Sequence, residues 1–162
     1  MPSFDIVSKV DPQTLDNAIN VARKEITTRY DFRDSKTEID LDKKTSIIKV
    51  TTENSMRMSS IVDIIITRMA KQGIDPKALD MSKEEYASGP MMKRELPVKN
   101  GIDKEGLKKI VKIIKDSNLK VTSAQMDDLV RVTGKKIDDL QDVISLMRTQ
   151  DVGVALQFIN MK

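Results

Sequence analysis

Phe4, Ile6, Ser8 and Val10 alternate with Asp5, Val7 and Lys9, a period of two that predicts a strand over residues 3–9. The period then changes. Asp11 offers a cap and Pro12 a preset first helical residue, and Leu15, Ile19, Ala22, Ile26 and Tyr30 recur at helical spacing. This predicts a helix ending near Tyr30. Residues 36–41 and 45–51 return to alternating or β-branched positions around Asp42-Lys43-Lys44, the signature of a hairpin with a polar turn. Asn54 and Ser55 can cap the helix that follows, Met56 to Lys71, whose apolar stripe is Met58, Ile61, Val62, Ile65 and Met69 and which Gly73 closes.

The second half repeats this rhythm. Residues 74–90 carry Pro76, Gly89 and Pro90 among scattered polar groups and read as a linker, with room for a short strand around Leu79 to Ser82. Met91 to Lys99 alternates as a strand, and Pro97, which donates no ladder hydrogen bond, places it at a sheet edge or marks its end. Asp103 then caps a helix that turns Leu107, Ile110, Val111 and Ile114 to a core. A hairpin over 119–133 turns at Asp127-Asp128, a helix over 136–149 carries Ile137, Leu140, Val143, Ile144 and Met147 on one face, and Ala155 to Asn160 supplies a last strand. The order is β-α-β-β-α-β. The tetrapeptides Ile48-Lys49-Val50-Thr51 and Val130-Arg131-Val132-Thr133 lie 82 positions apart, as do the strand candidates Glu38–Leu41 and Lys120–Ser123 before them. A helix follows each. The chain therefore reads as two α+β modules, 1–89 and 90–162, each of the ferredoxin-like, RNA-recognition-like kind in which two helices cover one face of an antiparallel sheet and leave the other free.

Composition narrows the function more than the fold. With 39% apolar and 33% charged residues over 162 positions, no apolar run approaches the roughly 20 residues of a membrane span. The start, Met1-Pro2-Ser3-Phe4-Asp5, lacks the basic and apolar regions of a secretion signal, so a cytoplasmic location is expected. The chain has neither cysteine nor histidine. That removes disulfides, thiolate chemistry and every triad built on Ser-His or Cys-His, and it weakens any zinc reading. No enzymatic activity, metal or cofactor is expected, because no catalytic constellation is visible.

What remains is binding. RNA-recognition modules stack bases on aromatic residues of their central strands, whereas this chain has two Tyr and three Phe and offers Lys49, Thr51, Lys120, Thr122, Arg131 and Thr133 at the outward strand positions. Residues 1–89 hold 14 basic and 15 acidic side chains, and residues 90–162 hold 14 and 10, so the second module is the basic one. Within it Lys104, Lys108, Lys112 and Lys115 share a helical face, with Lys109 and Lys120 nearby, an arrangement that suits phosphates but equally describes a solvated helix surface. Thr133-Gly134-Lys135-Lys136 stands at a strand-to-helix junction, where free N–H groups and the positive helix end attract anions, although the glycine spacing of a phosphate-cradling loop is absent. Asp138 and Asp139 diverge by about 100° on a helix and suit its N-terminal dipole better than a metal. Met58, Met69 and Met147 fall at core spacing, while Met91, Met92 and Met161 are candidates for a soft protein-contact surface.

Specific strings go further. Ser3-Phe4-Asp5-Ile6-Val7-Ser8, Asp31-Phe32-Arg33, Lys108-Lys109-Ile110-Val111-Lys112, Ile114-Lys115-Asp116-Ser117, Leu119-Lys120-Val121, Arg131-Val132-Thr133-Gly134-Lys135, Asp138-Asp139-Leu140-Gln141 and Leu156-Gln157-Phe158 resemble, in order and spacing, the YajQ family of bacterial nucleotide-binding proteins. The resemblance implies a cytoplasmic protein of two ferredoxin-like domains with exchanged N-terminal strands, which would put strand 3–9 in the second domain's sheet. It also implies nucleotide or nucleic-acid binding, cyclic di-GMP being a proposed ligand of some members, and no established catalysis. Ile137 stands where many members have Arg, Asp127 where a turn Gly is common, and Ala155 and Met161 where Pro and Phe are expected. The sequence thus points to a nucleotide-binding protein, with cyclic di-GMP as a candidate ligand and a macromolecular partner to which the bound state is signalled. The phosphate-binding candidates are Lys104, Lys108, Lys112, Lys115, Lys120, Arg131, Lys135 and Lys136. Two alternatives stand beside it: binding of RNA or single-stranded DNA, and a protein-interaction module without a small ligand; RNA or a transcription-related protein is the expected kind of macromolecular partner.

Overall fold

Each helix forms where the apolar stripe and a cap coincide. The computed structural model, which describes residues 1–162, places α1 at Pro12–Thr28, α2 at Ser55–Lys71, α3 at Lys104–Asp116 and α4 at Ile137–Arg148. Asp11, Asn54 and Asp103 accept a hydrogen bond from the backbone N–H of the third residue of α1, α2 and α3 respectively, satisfying one donor that a helix start leaves open. The strands are β1 (Ser3–Val7), β2 (Glu38–Asp42), β3 (Ile47–Thr52), β4 (Tyr86–Ser88), β5 (Met91–Pro97), β6 (Val121–Met126), β7 (Leu129–Gly134) and β8 (Gln157–Ile159).

These strands make two four-stranded sheets, ordered β6-β7-β1-β8 and β2-β3-β5-β4, with every pairing antiparallel. The first strand belongs to the sheet of the second half: Asp5 lies opposite Arg131 on one side and Ile159 on the other. Conversely, β5 completes the sheet of the first half, with Lys49 opposite Glu95. Residues 1–9 and 100–162 form one unit and residues 10–99 the other. A division at 89/90 would part β5 from its sheet. The two cores explain the pairing: Phe4 and Ile6 are buried with Ile110, Val130, Val132 and Leu140, whereas Leu96 is buried with Ile48, Val50, Ile61 and Ile65. Burying a side chain of this size is worth ~1.5–3 kcal/mol, so a strand joins the core that can take its apolar face.

The regrouping also evens the charge. Residues 10–99 carry 16 basic and 15 acidic side chains, and residues 1–9 with 100–162 carry 12 and 10, so the basic excess expected of the second module shrinks to +2 against +1. Three local expectations change as well. Tyr30 is 84% exposed, because α1 stops at Thr28 and Tyr30 starts a short 3-10 turn. Ile137 is 55% exposed, since a first helical residue points its side chain back past the helix start rather than onto the core. The linker's strand is Tyr86–Ser88, and around Leu79 there is only a single bridge to Val98.

Candidate functional site

The end of β7 runs close beneath α4, and a glycine makes that approach possible. A Cβ on Gly134 would lie 3.1 Å from Val121 Cγ1 and 3.3 Å from Leu140 Cδ2, tighter than ordinary contact. Immediately after it come Lys135 and Lys136, and Lys136 is the N-cap residue of α4 without a side-chain capping bond. On the neighbouring strand the chain enters β6 through Asn118, which adopts φ 59, then Leu119 and Lys120. A cleft of about 770 Å³ opens between these segments, lined by Lys120, Thr122, Thr133, Lys135, Lys136 and Asp139 among others. Its size falls within the range of small-ligand pockets. Three ammonium groups against one carboxylate, with hydroxyls and an open helix start, make it a place where an anion is stabilised.

Of the eight phosphate-binding candidates, the structure gathers Lys120, Lys135 and Lys136 here. Lys104, Lys108, Lys112 and Lys115 are exposed along α3, engage in no salt bridge and do not line this cleft. Arg131 is elsewhere and already engaged: its Nε donates to Asp5 Oδ1 at 2.9 Å and a terminal nitrogen donates to Asp5 Oδ2 at 3.4 Å. Arg131 holds the Asp5 carboxyl below the usual range, burial pushes the other way, and Asn160 Nδ2 adds a hydrogen bond at 2.9 Å. The sheet face at this point is therefore close to neutral. The aromatic pair Phe4 and Phe158 packs edge to face at 6.0 Å, with Phe4 buried in the core and the partly buried Phe158 ring faced by the Arg148 guanidinium at 5.9 Å. No three acidic side chains converge as a metal site, and no helix is long and apolar enough to cross a membrane.

The internal duplication supplies an unexpected comparison. An offset of 82 lays Thr52, Glu53, Asn54 and Arg57 on Gly134, Lys135, Lys136 and Asp139. At this twin junction Glu53 fills the position that stays open in the other unit. Its carboxylate accepts from Ser35 Oγ at 2.8 Å, Thr52 Oγ1 at 3.0 Å, Arg57 at 2.9 Å and the backbone N–H of Lys36. Burial opposes its ionisation, yet those donors outweigh it and hold the group at about 2. Reading residues 1–89 alone gave no reason to single out Glu53. The signal was present in the 82-residue offset, which sets an acid against Lys135.

Fold and cleft together define a class: a tandem α+β protein of two ferredoxin-like units, one of which opens a lysine-lined cleft where a strand passes into a helix. The model of the family described as nucleotide-binding protein YajQ-like matches residues 2–162, and the chain belongs to this family. It is 88% identical to a protein of Cytophaga hutchinsonii named nucleotide-binding protein, over the full length of both chains. Proteins of the same name from Oleidesulfovibrio alaskensis and Geotalea daltonii are 54% and 52% identical over all of this chain and 99% of their own.

Proposed function

We propose that the chain binds a nucleotide with its phosphate in the cleft at the β7–α4 junction, and passes the bound state to a partner macromolecule. The observation that carries this reading is the pair of junctions. Where one unit holds its own carboxylate on Ser, Thr, Arg and backbone donors, the other replaces that acid with Lys135 and leaves a cleft open to solvent. Lys120, Lys135 and Lys136 neutralise the phosphate, and Thr122 and Thr133 offer hydroxyls to phosphate or sugar. The names of the relatives agree with this class of ligand. Cyclic di-GMP, the ligand that the family resemblance suggests, carries two phosphates that lysines of this cleft could neutralise.

The test is calorimetric titration of protein freed of nucleic acid with cyclic di-GMP, GTP and a short single-stranded RNA at two salt concentrations. Selective micromolar binding of one nucleotide, lost on Lys135→Glu with Lys136→Glu, supports the reading. A second reading, RNA or single-stranded DNA binding, is favoured by the unpaired lysines of α3, which offer a track rather than a pocket. It requires a steep fall of affinity with salt and sensitivity to reversal of Lys108 and Lys112. Equal affinity of the wild type and the Lys135, Lys136 reversal for every ligand would remove the cleft from consideration.

A further inference from the structure

The four sheet edges of this molecule are not equally defended. An edge strand presents unpaired N–H and C=O groups to any passing chain, and proteins blunt such edges with charge, brevity, proline or cover. The edge strand β2 reads Glu-Ile-Asp-Leu-Asp, whose three carboxylates would repel a like strand. The edges β4 and β8 are three residues each. The fourth, β6, is six residues long, reads Val-Thr-Ser-Ala-Gln-Met, and contains neither a charge nor a proline. Thr122, Ala124, Gln125 and Met126 are exposed, Met126 to 42%.

From this edge we infer that two copies of the chain associate by antiparallel pairing of β6 with β6, joining their four-stranded sheets into one of eight strands. Charge selects the occupant. The strand is preceded by Lys120 and followed by Asp127 and Asp128 in its turn, with no charge between. Antiparallel pairing about the midpoint, near Ser123 and Ala124, brings the Lys120 end of each copy beside the Asp127-Asp128 end of the other. Parallel pairing would instead set Lys120 against Lys120 and the acids against each other. The strand is thus complementary to itself in one direction only, which is what a two-fold interface demands. This association does not rest on the ligand reading given above.

Sedimentation equilibrium of the full chain over a range of concentrations tests it. The wild type is expected to show a reversible monomer–dimer equilibrium. Ala124→Glu and Ala124→Lys, each of which sets like charges near the two-fold, should weaken the dimer by about tenfold. An equimolar mixture of the two variants should recover it, since Glu then faces Lys. Recovery cannot come from misfolded chains, so the mixture keeps the test decisive even if one variant is less stable. A wild type that stays monomeric up to millimolar concentration, a dimer that both variants leave at wild-type affinity, or failure of the mixture to recover would overturn the inference.

Discussion

The β3–α2 and β7–α4 junctions share a backbone plan and differ in who supplies the negative charge. At the first, Asn54 caps the helix and Glu53 sits among Ser35, Thr52, Arg57 and the Lys36 N–H. At the second, Lys136 takes the cap position, Lys135 takes the place of the acid, and Asp139 that of Arg57. One junction is closed by its own carboxylate and contributes to stability. The other gives up that internal partner and faces a cleft. The difference teaches that a strand-to-helix turn is a single device with two uses, and that the residue one past the strand decides between them.

The sharpest way to break the comparison is to remove the cations of the open junction. Lys135→Glu with Lys136→Glu should lower nucleotide affinity by roughly two to four orders of magnitude in calorimetry, at two charge-assisted contacts of ~1.5–3 kcal/mol each, and leave the melting temperature almost unmoved. The converse holds at the closed junction. Glu53→Ala strands Arg57 and Ser35 and should cost about 1–3 kcal/mol in denaturant titration, without loss of binding at the cleft.

A third test uses pH. Because the folded value of Glu53 lies below the ordinary 4.5, near 2, the native state binds fewer protons there than the unfolded chain. Its stabilisation is complete above 4.5 and is lost as the pH falls from there toward 2. Glu53→Gln should flatten this part of the stability–pH curve, and an unchanged slope in thermal melts at stepped pH would assign the acid sensitivity to other groups. The smallest effect belongs to α3. Lys108→Glu with Lys112→Glu should change affinity for a single nucleotide by less than about threefold, since exposed charges outside the cleft act only through a screened field. A large loss would transfer the site to that helix.

The helices and hairpins were legible in the sequence because a buried stripe needs a period of 3.6 and a half-buried strand a period of two, whatever they pack against. Asp11, Asn54 and Asp103 marked three helix starts correctly. Sheet membership was not legible from periodicity. Phe4 and Ile6 alternate in the same way beside β7 as they would beside β3, so only the family resemblance, with its exchanged N-terminal strands, pointed to β1 in the second sheet and to the reciprocal place of β5 in the first. Tyr30 misled because its spacing continues a helix whose hydrogen bonding has ended. At the candidate site, Lys135 and Lys136 could be named from a glycine between strand and helix. The engagement of Arg131 could not, because its partner Asp5 lies 126 positions away.

That distance has a consequence in time. As the chain leaves the ribosome, residues 10–99 hold all four strands and both helices of one unit and can close without anything made later. Strand β1, made before them, cannot. Its partners β7 and β8 are made only after residues 10–99, and until then Phe4 and Ile6 lack the core they join. The docking of β1 must therefore follow the making of a partner from the other side of residues 10–99, and the open cleft, one wall of which is the end of β7, belongs to the unit that this late pairing completes.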